Sequence, residues 1–141
     1  MTVIFTDIDG VLFNTTASSW NKTAINLYNK LCQEFNLKVV ISSTWRKNHS
    51  IYQLENIFLQ NGIDVEILDY TPIIPFDGRG AEIEEWLRNN QVDNFIIIDD
   101  CTRDIERQGL RNIVKCRGWV GFSEEDYQLS REILTSQPSY Q

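Results

Sequence analysis

Thr2-Val3-Ile4-Phe5-Thr6 runs directly into Asp7-Ile8-Asp9-Gly10, and this stretch decides the fold. A short run of β-formers closed by Asp and Gly predicts a buried strand. In extended chain, Asp7 and Asp9 point to one side and Ile8 into the packing. Gly10 lets the backbone turn. Two carboxylates held this close favour a divalent cation, because otherwise they repel and one takes up a proton. One of them can attack phosphorus, and its neighbour can shuttle the proton. A solvated strand end followed by a turn would use the same residues, so the surroundings carry the decision.

Downstream, strands and helices alternate. Ala24, Leu27, Tyr28, Leu31 and Phe35 recur at helical spacing and predict a helix over 21–35. Lys38 to Ile41 reads as a second strand, ending in Ser42-Ser43-Thr44. Ile51, Leu54 and Phe58 mark a helix that stops near Asn61-Gly62, and Ile63 to Leu68 reads as a third strand. Thr71 to Gly80, with two prolines and two glycines, reads as a loop. A helix carrying Ile83, Trp86 and Leu87 then runs to about Asn90. Phe95 to Ile98 is the most apolar strand and ends in Asp99-Asp100. A short helix near Arg103 to Gln108 and a strand over Asn112 to Lys115 follow. Ser123 caps a closing helix, with Asp126 where a capping box prefers Glu or Gln. That helix is expected to end before Ser136-Gln137-Pro138. This order predicts an α/β fold with a central parallel sheet, helices on both faces and right-handed crossovers. Ligands then bind beyond the carboxyl ends of the strands, which places Asp7, Asp9, Ser42, Ser43, Asp99 and Asp100 together.

The 141 residues suit one domain over 1–136 with a C-terminal tail at 137–141. The chain is 42% hydrophobic and 23% charged, ordinary for a globular protein. No apolar run is long enough to span a bilayer, and the N-terminus lacks a basic n-region, so neither a membrane segment nor a signal peptide is expected. Three scattered cysteines, Cys32, Cys101 and Cys116, match neither a disulfide framework nor a zinc knuckle, and imply reduced thiols in a cytoplasmic protein. The formal net charge of -7 gives no global pull toward nucleic acid or anionic membrane.

Phe5-Thr6-Asp7-Ile8-Asp9-Gly10-Val11-Leu12 resembles the first motif of the haloacid dehalogenase-like (HAD) superfamily of phosphotransferases. The resemblance implies a three-layer Rossmann-like fold, Asp7 as nucleophile and Asp9 as general acid/base, with the Asp9 carbonyl on magnesium. Val39-Val40-Ile41-Ser42 is similar to the second motif and implies Ser42, with Ser43 beside it, as phosphate-binding. Arg79 stands by position for the third motif, where the family usually has Lys; its planar fork of donors differs from a point charge. Ile96-Ile97-Ile98-Asp99-Asp100 is similar to the fourth motif and implies Asp99 and Asp100 as metal ligands, with Asp104 as an extra. Ser42-Ser43-Thr44-Trp45-Arg46 and Arg79-Gly80-x-Glu82-Ile83-x-x-Trp86-Leu87 look like the HAD domains of RNA-repair proteins.

The implied activity is a magnesium-dependent phosphomonoesterase working through phospho-Asp7. Many relatives carry a cap after the first or second motif. Val11 to Asn21 is too short for one, and Trp45 to Gly78 is used by a helix and a strand. An open site suits a nucleotide or a nucleic-acid end; phosphoproteins and small metabolites are the alternative substrates, and a non-catalytic binding module is the rival reading. Arg46 reads either as a phosphate contact or as a surface residue, and His49 as a surface residue at a helix start. The basic stretch Arg103, Arg107, Arg111, Lys115 and Arg117 reads chiefly as solvated charge. Trp20, Trp86 and Trp119 read as packing residues, with Trp119 to Phe122 covering a core edge.

Overall fold

A computed structural model describes residues 1–136; the expected tail over 137–141 lies outside the described residues. The first strand, β1 (Thr2–Thr6), leads into a small antiparallel hairpin of β2 (Phe13–Asn14) and β3 (Ser19–Trp20). Then follow α1 (Lys22–Glu34), β4 (Leu37–Ile41), a 3-10 turn (Thr44–Lys47), α2 (Ile51–Gln60) and β5 (Ile67–Tyr70). The chain continues through α3 (Gly78–Asn89), β6 (Asn94–Asp99), α4 (Arg103–Arg107), β7 (Ile113–Lys115) and α5 (Glu124–Ser136). Five strands form one parallel sheet in the order β5-β4-β1-β6-β7. The chain winds outward on one side of β1 and then on the other, so the topological switch point falls at the carboxyl end of β1.

Strand alternation sorts the core into two layers. Ile4, Val39, Ile41, Ile96, Ile98 and Val114 pack with the apolar faces of α1, α2 and α5. Val3, Phe5, Val40, Phe95 and Ile97 face Ile83, Trp86 and Leu87 of α3 and Ile105 of α4. This is the doubly wound, Rossmann-like α/β arrangement expected of the sequence. Between the strands only the β2–β3 hairpin, helices and short connections occur, and no cap is inserted. No helix among the described residues is long and apolar enough to cross a membrane.

The helix starts follow their capping chemistry. Asn21 accepts from the Ala24 N–H at the head of α1, Ser50 and Gln53 form a capping box on α2, and Ser123 and Asp126 exchange the equivalent bonds before α5.

Four expectations are corrected. The third strand begins at Ile67 rather than Ile63, because Ile63 is used to close α2: Gly62 adopts φ 78° and the Ile63 N–H reaches back to the Phe58 carbonyl. α3 begins at Gly78, inside the stretch read as a loop, because its first turn is capped from outside by Asp104, whose Oδ2 accepts from the Gly80 N–H at 2.7 Å. α5 includes Ser136 instead of ending before it. Phe122 is buried as expected, whereas Trp119 stands largely exposed instead of packing into the core.

Candidate active site

Strand register assembles the site. Thr6 is paired with Ile41 on one side and Ile98 on the other. One residue further on, Asp7 lies between Ser42 and Asp99, with the Asp7 N–H on the Ile98 carbonyl and the Ser42 N–H on the Thr6 carbonyl, both 3.0 Å. Asp7 continues the face that carries Val3 and Phe5, and Asp99 the face of Phe95 and Ile97. Both carboxylates therefore turn toward the start of α3, where Arg79 sits. Arg79 Nη1 lies 2.6 Å from Asp99 Oδ2 and 3.3 Å from Asp7 Oδ2.

Asp7, Asp99 and Asp100 each offer one oxygen within 4.8 Å of the others. Asp7 is 5% exposed and Asp99 wholly buried. Burial, together with the charge of Asp99, pushes the Asp7 carboxyl up to about 6, against the pull of Arg79 and the Ile8 N–H. Burial also raises Asp99, with Arg79 opposing, and raises Asp100, where Asp7 adds to the effect. Burial works against the Arg79 guanidinium, but Asp99 and Asp7 outweigh it and hold its pKa above the ordinary value. One guanidinium thus pairs with two of three clustered carboxylates. The surplus negative charge and the all-oxygen donor set fit a hard divalent cation such as magnesium. Room for Asp100 is made by glycine: a Cβ on Gly10, itself at φ 79°, would stand 2.2 Å from Asp100 Oδ2, and one on Gly118 would stand 3.0 Å away.

Asp9 is held apart from this cluster. Its Oδ1 accepts from the Trp45 indole N–H at 2.9 Å. Trp45 in turn packs edge-on against Phe13 and Trp20 of the hairpin and stacks on His49. The Ser42 hydroxyl donates to the Thr6 carbonyl at 3.2 Å, and Ser43 Oγ accepts from the Trp45 N–H. Asp104, a candidate extra ligand, instead caps α3. Cys101 is exposed beside the acidic pair, while Cys32 and Cys116 are buried; all three are free thiols.

Arg46 is not the surface residue that one of its readings expects, and although it lines the depression beside Arg79 its guanidinium is bonded within the protein. It is 7% exposed. Its guanidinium donates to the carbonyls of Ser42, Ser43, Thr71 and Pro72, and Nη2 lies 2.9 Å from Glu82 Oε1. The other Glu82 oxygen accepts from the Ile74 N–H. The pair ties the end of β4 to α3 one turn beyond Arg79. Neither Trp45 as the partner of Asp9 nor Glu82 as the partner of Arg46 was apparent in the sequence, where the only signal was an aromatic and a basic residue directly after the second motif.

Around these residues the surface is open. One depression of about 540 Å3 is lined by Lys47, Phe76, Arg79, Cys101 and Asp104, among others. A second, of about 560 Å3, carries Asp9, Trp45 and His49 and shares Thr44 and Lys47 with the first.

A doubly wound parallel sheet without a cap, with paired aspartates after its central strand and an acidic cluster at the switch point, defines a HAD-like α/β domain. A sequence model of the family described as the HAD domain in Swiss Army Knife RNA repair proteins matches residues 3–127, and the chain belongs to that family. Among curated proteins none matches the chain. Membership supports a phosphatase-like function of the HAD type in general.

Proposed function

We propose that the chain is a magnesium-dependent phosphomonoesterase acting through an aspartyl-phosphate on Asp7, with a nucleotide or a nucleic-acid end as substrate. The observation that carries the reading is the cluster of buried Asp7 and Asp99 with half-buried Asp100, and Arg79 against the first two. Asp7, Asp99 and Asp100 would hold the metal through carboxylate oxygens and Asp9 through its backbone carbonyl. When bound, magnesium supplies positive charge against the oxygens of the transferring phosphoryl group.

Phosphoryl transfer needs positioning and charge compensation above all. A carboxylate oxygen of Asp7 attacks phosphorus, and the bond from phosphorus to the ester oxygen breaks. Asp9 gives its proton to that leaving oxygen. A water then loses a proton to Asp9 and attacks the phosphorus of phospho-Asp7, releasing phosphate and restoring the carboxylate. Ser42 would turn to the phosphoryl group the hydroxyl that it otherwise gives to the Thr6 carbonyl, with Ser43 beside it holding the Trp45 N–H, and Arg79 offers guanidinium donors while keeping its hold on Asp99. The Trp45 indole fixes the carboxyl of Asp9 toward the open depression. The absence of a cap and the family's description both favour a phosphate on a large substrate.

The test is turnover of an aryl phosphate by purified protein with magnesium and after chelation. Hydrolysis that needs the metal supports the reading. Absence of hydrolysis with magnesium present, or hydrolysis indifferent to chelation, would overturn it. Comparing nucleic-acid ends, mononucleotides, phosphopeptides and sugar phosphates then ranks the substrate classes.

A further inference from the structure

Among the described residues three aromatic side chains are prominently exposed: Tyr52, Phe76 and Trp119. Phe76 is fully exposed, lines the depression that contains Arg79, and holds φ at 69°, a left-handed conformation costly for a bulky residue. Its loop is not loose. The Ile74 N–H donates to Glu82, the partner of buried Arg46, and the Asp77 N–H donates to the Ile74 carbonyl. An apolar ring is thus presented to water, on a braced loop, next to the residue that touches Asp7 and Asp99.

The depression continues in charge. Its far wall includes Cys101 and Asp104. Between them in sequence lies Arg103, which with Glu106, Arg107 and Lys115 lines a further depression of about 500 Å3, three cations to one carboxylate. Lys115 stands opposite Asp99 in the sheet register, so this basic wall starts beside the acidic cluster. Arg103, Arg107 and Lys115 form no ion pair with any described residue. The nearby acids are engaged: Asp104 by the Gly80 N–H, and Glu106 by the Thr102 hydroxyl. At the opposite end stands Lys47, also without an ion-pair partner among the described residues. The basic residues that read in sequence as dispersed charge are, for these three, one patch.

We propose that these depressions form a single groove for single-stranded nucleic acid, in which Phe76 stacks on a base and Lys47, Arg103, Arg107 and Lys115 track the phosphates past the active site. This rests on the phosphatase reading for the role of the groove. Its chemistry is independent: a flat apolar face and a row of cations suit alternating bases and phosphates, and an aromatic with a cationic track is how strands are gripped without sequence readout. The grip is local, since the chain as a whole is acidic.

The experiment measures binding of a fluorescein-labelled oligouridine and of uridine monophosphate to the Asp7→Asn protein in magnesium buffer, so that no turnover intervenes. Phe76→Ala is expected to weaken oligouridine binding by roughly tenfold or more, Phe76→Trp to restore it, and Tyr52→Ala to change nothing. Arg107→Ala with Lys115→Ala is expected to weaken the oligomer but not the mononucleotide, and to flatten the salt dependence by about 0.7 in the log–log slope for each phosphate no longer neutralised. Phe76→Ala binding like its parent, salt-independent binding, or an equally tight hold on an acidic phosphopeptide would overturn the groove. Failure of the wild-type protein to hydrolyse any phosphate ester would sink the catalytic reading alone, because strand binding is read without turnover.

Discussion

Asp9 owes its position to an indole. Trp45 donates to Asp9 Oδ1 and is itself wedged between the hairpin rings and His49. If Asp9 protonates the leaving oxygen, its loss must hurt most where the leaving group is a poor one. Asp9→Asn is expected to lower kcat/KM, which reports the step that expels the leaving group, by roughly a hundredfold or more for alkyl phosphates, and less for nitrophenyl phosphate, whose leaving group departs unaided. Trp45→Phe keeps the aromatic packing and removes only the N–H, so it should show the same dependence on leaving group at smaller amplitude. Steady-state kinetics over a series of leaving groups checks both; equal losses in kcat/KM across the series would remove Asp9 as the acid for the leaving group. Asp9, Asp7 and the acidic end of the apolar fourth motif were legible in the sequence because carboxylates recur directly after two strands that the fold sets side by side, in a combination that a solvated turn alone does not require. Trp45 was not legible as a partner of Asp9, because an indole hydrogen bond across the chain leaves no local pattern.

At the scale of elements, the join between β4 and α3 depends on one buried ion pair. Arg46 satisfies carbonyls of both the β4 end and the segment after β5, while Glu82 takes its remaining charge. Glu82→Gln leaves a buried guanidinium without its counter-charge. It is expected to cost roughly 3–5 kcal/mol, read as a lower urea midpoint, and to lower activity by loosening Arg79 one turn away. A Glu82→Gln protein of unchanged stability would show the pair to be dispensable. Element existence and order followed from hydrophobic periodicity, and every helix and strand expected is present. The start of α3 differs from its expected place because a long-range bond decides it. Glycines at 78 and 80 argue locally for a loop, yet Asp104, distant in sequence, caps the helix there. Arg46 misled for the same reason, since charge argues for the surface until a partner from another helix is known.

On the scale of the whole molecule, a sheet strung so that β1 lies between β4 and β6 brings three strand ends to one point. Those ends collect more negative charge than Arg79 offsets, so the folded protein is expected to be stabilised by a divalent cation that binds the folded form only. Magnesium at about a hundred times its dissociation constant should add about 2.7 kcal/mol, seen as a rise in Tm. Asp100→Asn should blunt that rise, because Asp100 is one of the three clustered carboxylates. A melting temperature indifferent to magnesium would speak against the metal site. Topology and the convergence of Asp7, Ser42 and Asp99 were readable in advance, because alternation of strands and helices leaves few ways to wind a parallel sheet. The groove was not, since it is built from separate loops that only the fold brings side by side.

The central claim is that Asp7 carries the phosphoryl group, and Asp7→Asn tests it most directly. Asn retains the shape of Asp but is a far weaker nucleophile. Turnover of an aryl phosphate in magnesium should fall to background while circular dichroism shows the fold intact. A folded Asp7→Asn protein that turns over at the wild-type rate would contradict the account.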